Sequence, residues 1–221
     1  MTNLVMTSLI KTSNAAFEGG GMSEMKAALI VEGDGEVEAL PLIWRSLCPS
    51  MPLISPPYRL ARSKALDHAG NVKAEEWGRA FQLLQMKGAA CVLAVMDADD
   101  ICPKQQAPII KNNLESLSLP IGLKLGFCLA EPEYEGWFLA GADFLDLGDS
   151  PTSLPRDCKG EVKRRLKQRG LDGYSPVVDQ PSLTSKLLLH LKVVAARSSS
   201  LDKLIREIES LCKVCTVIGP T

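Results

Sequence analysis

The sequence predicts a doubly wound α/β fold, a mainly parallel sheet completed by a C-terminal helical cap. Three observations predict it. Apolar runs at 26–31, 89–96 and 121–130 are too short for helices and lack alternation, as strands buried on both faces do. Segments with helical spacing separate these runs, giving the strand–helix alternation of a parallel sheet. Each run also leads into carboxylates, at Glu32, Asp97 and Glu131, and such sheets bind ligands at the carboxyl ends of their strands.

The elements follow in order. Residues 26–31 form the first strand, bounded by Gly33. Residues 36–47 form a helix with Val37, Leu40, Ile43, Trp44 and Leu47 on one face. Pro41 inside it predicts a 3₁₀ start or a kink, because proline removes an interior hydrogen bond. The proline-rich stretch 51–62 allows an edge strand near Tyr58-Arg59-Leu60. A helix over 71–87 carries Trp77, Ala80, Phe81 and Leu84 as its stripe and stops at Gly88. The second strand follows at 89–96, then a helix over 103–117 with Pro103 at its start, and a third strand over 121–130. Beyond 147 the texture changes. A loop (148–157), a basic helix (158–169), a turn-rich connector (174–181) and two helices (182–194 and 198–214) are expected, with Ser200 or Asp202 capping the last.

A chain of 221 residues suits one α/β core, 25–147, with 148–221 packed on it as the cap. Residues 1–24 are polar and irregular, so a disordered leader and a fold starting near Met25 are expected. The net charge of −1 excludes a global attraction to nucleic acid or membrane, so any basic surface has to be local. No apolar run approaches the ~18–20 residues of a membrane span. The seven scattered cysteines suit reduced thiols in a cytoplasmic protein. Cys212 and Cys215 form the one C-x-x-C, but without a second close pair they do not favour structural zinc. His68 and His190 read as incidental.

The chemistry is in the strand ends. Carboxylates closing buried strands are costly to desolvate, and a divalent cation offsets that cost directly. Glu32 and Glu36, Asp97 and Asp99, and Glu133 and Glu135 are the candidate ligands. Mg²⁺ or Mn²⁺ suits such hard oxygens where histidine and cysteine are scarce. Each cluster also has a plainer explanation: a helix N-terminal pair for Glu32 and Glu36, a polar loop for Asp97 to Asp100, a solvated turn for Glu131 to Glu135. Their conjunction after three strands favours a shared site.

These residues resemble the Toprim domain of primases, topoisomerases and the overcoming-lysogenization-defect (OLD) nucleases. Val31-Glu32-Gly33-Asp34-Gly35-Glu36 and apolar-Asp97-Ala98-Asp99 carry the likeness, the first being closest to the OLD-type version. The wider set adds Glu133-Tyr134-Glu135-Gly136-Trp137-Phe138 and Tyr174-Ser175-Pro176-x-x-Asp179-Gln180, and is similar to uncharacterised bacterial Toprim-like proteins over residues 26 to 205. The resemblance implies Mg²⁺ or Mn²⁺ on Glu32, Asp97 and Asp99, with Glu36 as the motif's second glutamate. Glu133 or Glu135 would serve as the later ligand, and Lys159 or Lys163 as the lysine that offsets transition-state charge. It further implies a nuclease or other phosphodiester-transfer enzyme, the effector of a bacterial defence system with an ATPase partner.

Local basic surface fits a nucleic-acid partner. Lys159, Lys163, Arg164 and Lys167 lie in the basic helix, and Arg59 and Arg62 form a smaller group. A solvated helix exterior explains the same pattern. Gly33-x-Gly35 lacks the full G-x-G-x-x-G and no P-loop is present, so the chain supplies no ATPase of its own. An aspartyl-phosphate phosphatase with Asp97 as nucleophile leaves Glu32 to Glu36 unexplained. The alternative to the enzyme is a non-catalytic Toprim-like module that binds nucleic acid or a partner for regulation. Oligomeric state is not legible.

Overall fold

The computed structural model describes residues 25–67, 69–117 and 119–217, with side chains through 214. The leader expected at 1–24, His68 and the Cys215 side chain lie outside the described residues. Among them, no helix is long and apolar enough to cross a membrane.

Four strands, β1 (Lys26–Val31), β2 (Tyr58–Arg59), β3 (Ala89–Asp97) and β4 (Lys124–Ala130), form one parallel sheet in the order β2-β1-β3-β4. Ile30 lies opposite both Tyr58 and Ala94, and Asp97 opposite Ala130. From β1 the chain runs outward to β2, then returns to place β3 on the other side of β1. The strand order therefore reverses between β1 and β3, which is where a crevice opens in such sheets.

Alternate side chains enter two cores. Ala27, Leu29 and Val31 join Cys91, Leu93 and Val95 on one face, while Ala28 and Ile30 join Val92, Ala94 and Met96 on the other. The second face is covered by α3 (Ala74–Met86), through Trp77, Phe81 and Leu84, and by α4 (Pro103–Ser116), through Ile110 and Leu114. The expected helix at 71–87 thus starts at 74, because Val72 is used in a bridge to Leu66 beside the short α2 (Arg62–Ala65). The first face carries α1 (Asp34–Leu47), the short α5 (Glu135–Ala140), α6 (Cys158–Gln168), α7 (Pro176–Leu188), α8 (Leu191–Ala195) and α9 (Ser199–Val217).

Helix α1 begins two residues earlier than its apolar spacing predicts. Glu36 reaches back to accept hydrogen bonds from the N–H groups of Glu32 (2.9 Å) and Gly33 (3.1 Å), which fixes the first turn from Asp34. Pro41 stays within a helix that runs on to Leu47. It is buried in the first core, where packing outweighs the one missing donor.

Three expectations are corrected. The connector at 174–181 is helical from Pro176, which sits at the first position where a missing donor is harmless, while Asp179 accepts from the Ser175 N–H at 2.6 Å. The predicted helix at 182–194 accordingly divides into the end of α7 and α8, and His190 stacks on Phe144 with ring centroids 4.2 Å apart. The last helix is capped by Ser198, whose Oγ accepts from Leu201 N–H at 3.3 Å and whose carbonyl accepts from Asp202 N–H at 3.0 Å. Ser200 instead faces inward, accepting from Glu131 N–H and from the Trp137 indole at 2.8 Å.

The cysteines give the third correction. Cys48, at the end of α1, is disulfide-bonded to Cys212 in α9, so the full set is not reduced. Cys102, Cys128 and Cys158 remain thiols, and burial pushes those of Cys128 and Cys158 up to about 12.

Candidate metal centre

The β1–β3 crevice is where the sequence's acidic clusters meet. Glu32, Glu36, Asp97, Glu133 and Glu135 line a single cavity of about 530 Å³, with Arg59, Lys159 and Gln180 in its walls. Each carboxylate is fixed by one hydrogen bond or a pair of them. Glu32 accepts from the Asp97 N–H at 3.2 Å, tying the ends of β1 and β3 together. Asp97 accepts from the Tyr134 N–H at 2.8 Å and Glu133 from the Lys159 N–H at 2.9 Å. Glu135 accepts from the Tyr174 hydroxyl at 2.9 Å, and Glu36 from the two amides already described. In every case a single oxygen is used. No sealed side-chain oxygen among the described residues lacks a partner, so the second oxygens open to the cavity.

These five acids form no salt bridge among the described residues, and the proton affinities of four of them rise. Burial pushes Asp97 well above the usual carboxylate range, and the charges of Glu36, Glu32 and Glu135 push it further against the Tyr134 amide. Burial raises Glu36 to about 7; its two backbone donors oppose this, and Glu32 and Glu135 add to it. Glu32 and Glu133 are raised chiefly by burial too, Glu32 against the Asp97 amide and Arg62, Glu133 against the Lys159 amide.

The donor set fits a hard divalent cation. Every oxygen it offers is a carboxylate oxygen, and such an ion would offset the burial and mutual repulsion that raise Glu32, Glu36, Asp97 and Glu133. As the side chains stand, however, no three carboxylate, thiolate or imidazole groups among the described residues are close enough to enclose an ion. The hydrogen bonds contribute to this: one oxygen of each acid is already held by a donor of the protein.

The remaining expected residues fall in three places. Asp99, expected as a ligand, is not in the cavity lining: its backbone is in the left-handed region (φ 50°), its N–H donates to the Pro132 carbonyl, and its carboxylate lies 3.0 Å from Arg62. Arg62 also donates to the Asp97 carbonyl, so it clamps the end of β3 and is not presented outward. Arg59, at the rim, pairs with Asp34 at 2.6 Å. On α6, Lys159 borders the cavity, whereas Lys163, Arg164 and Lys167 lie on the exposed face, with Arg164 forked onto Glu161. Gln180, assigned no role by the residue pattern, proves to belong to the cavity wall, and Tyr174 stands behind it, donating to Glu135. Their place in the quoted Tyr174-to-Gln180 stretch was the available signal. Compared with family models, curated proteins and solved structures, the chain matches none.

Proposed function

We propose that the cavity between β1 and β3 binds Mg²⁺ or Mn²⁺ and that the protein cleaves or transfers phosphodiesters of nucleic acid. One observation carries this reading: carboxylates from three successive strand ends share one cavity at the point where strand order reverses, with no cationic side chain paired to them. Glu32, Glu36 and Asp97 would hold the ion, with Glu133 or Glu135 completing the set. A bound divalent ion supplies charge stabilisation at the attacking and leaving oxygens. The chain's own residues bury the acids and hold them with backbone and hydroxyl donors, and Lys159, whose N–H holds Glu133, places a cationic residue in the cavity lining. The Toprim likeness and the ATPase partner it implies belong to the same proposal.

Calorimetric titration with Mn²⁺ tests the site. Parent protein is expected to bind, and Asp97→Ala and Glu32→Ala to lose binding together; binding that survives both variants overturns the reading. Incubation with single- and double-stranded DNA and RNA in Mn²⁺ tests the chemistry. The second reading, a non-catalytic nucleic-acid or partner-binding module, is favoured by the absence of three converging ligands among the described residues. It predicts binding of nucleic acid without cleavage in any divalent ion.

A further inference from the structure

Gln180 is the one buried polar side chain in the cavity wall that the acidic cluster does not explain. It lies in the second turn of α7 and is 2 % exposed, and its side chain makes no hydrogen bond among the described residues. No sealed side-chain nitrogen or oxygen among the described residues lacks a partner, so the small exposure that remains is at its amide, in the cavity. An amide that meets only the cavity is free to donate to whatever occupies it.

The surroundings identify that ligand. Gln180 is pressed against Gly35 in the first turn of α1: a Cβ on Gly35 would stand 1.8 Å from the Gln180 Oε1 and 2.6 Å from the Pro176 carbonyl. The missing side chain thus lets the start of α7 seat directly on the start of α1. Gly33 offers no side chain to cap that 14-residue helix, so its first amides are left to solvent or to a ligand. Arg59 and Lys159 stand on the same cavity wall. The cavity lining therefore combines hydrogen-bond donors and cations with a floor of carboxylates. A ligand carrying oxygen anions and bridged to the floor by a cation matches both.

We infer that Gln180 donates its carboxamide N–H to a non-bridging phosphate oxygen of the substrate, making the start of α7 a phosphate-contacting part of the site. This rests on the proposed phosphodiester reading. It assigns the C-terminal helices a direct part in recognition, beyond packing.

The test uses the full chain and side-chain amide NMR, with Ca²⁺ present and a single-stranded hexathymidylate as probe. The Gln180 NH₂ pair is identified by its loss in Gln180→Leu. It is expected to shift on titration together with the backbone amides of Gly33 and Gly35, and Gln180→Leu to weaken probe binding about tenfold, ~1.4 kcal/mol. Gln180→Glu, of the same shape, is expected to weaken the probe further while tightening Mn²⁺, a reversal that a packing role would not give. If Gly33 and Gly35 shift and the Gln180 pair does not, or if both variants bind the probe like the parent, the Gln180 assignment is wrong and the phosphodiester reading stands. If none of the three residues responds, both are overturned.

Discussion

Glu36 and Glu207 are buried alike, 6 % and 7 % exposed, yet they titrate in opposite directions. Glu207 lies over Gly126 of β4, where a Cβ would meet its Oε2 at 3.1 Å, and it is clasped by Lys111 at 3.1 Å and by Lys203. Burial alone would raise its proton affinity, but the hydrogen bonds from the two lysines more than offset that and hold it below the usual range. Glu36 has only backbone amides and other acids, and is driven up to about 7. The difference separates an acid whose counter-charge is built into the fold from acids whose counter-charge must come from elsewhere. Gly126 and Glu207 make a structural clamp between the sheet, α4 and α9; the acids of the β1–β3 crevice have no such partner among the described residues, which is what the proposed metal site rests on.

Several experiments can break or sharpen that contrast. The largest effect is expected from Glu207→Ala, which removes the hydrogen bonds to two partly exposed lysines and should cost about 1.5–3 kcal/mol in denaturant unfolding while leaving Mn²⁺ affinity unchanged. A loss of Mn²⁺ binding there would erase the distinction between the two acids. Asp97→Asn should do the reverse. It removes a repelled charge while an amide oxygen can still accept from Tyr134, so the denaturation midpoint without divalent ions should rise, and Mn²⁺-dependent cleavage should fall on the order of 100-fold.

Stability as a function of pH comes next. Glu36 has a folded value of about 7, above that of an unfolded glutamate. The native state therefore holds the extra proton between the two values, and its stabilisation is complete below about pH 4.3 and lost as pH rises through about 7. In chelator, stability should decline on the order of 2 kcal/mol across that window. Added Mn²⁺ should restore it at pH 8, with affinity rising over the same range as protons are displaced. A stability that rose with pH through the carboxylate range would place Glu36 in the same class as Glu207. The smallest effect is expected at α6: Arg164→Ala removes an exposed fork to Glu161 and should leave the melting temperature unchanged. A weakened nucleic-acid affinity in that variant would show that the exposed face of α6 extends the interface.

The parts of the molecule legible in sequence were those with local causes. The three long strands are apolar runs between glycine-bearing turns, and their acidic ends are adjacent in sequence to the runs themselves. The meeting of Glu32, Glu36 and Asp97 followed from strand ends on one edge. The start of α7 was obscured because Pro176 and Pro181 mimic turn composition, although the first is a favourable helix opener and the second lies in a helix held by α1. Arg62 read as surface charge because its partners, Asp97 and Asp99, come from another strand end. Glu207 with Lys111, and Cys48 with Cys212, join segments 96 and 164 residues apart, and no local pattern announces either. Gln180 stood in a quoted motif, but its environment depends on Gly35, which only the packed helices reveal.

The Cys48–Cys212 bond also sets how the molecule would come apart. It joins the end of the first helix to the last, so the chain between them is a covalent ring containing β2, β3 and β4. A protease nicking the 148–157 loop would open the ring without releasing a piece, and the two arms would migrate as one species until a reductant was added. Separation of the acidic crevice from its helical wall therefore takes two chemically distinct cuts, one in the backbone and one between sulfurs.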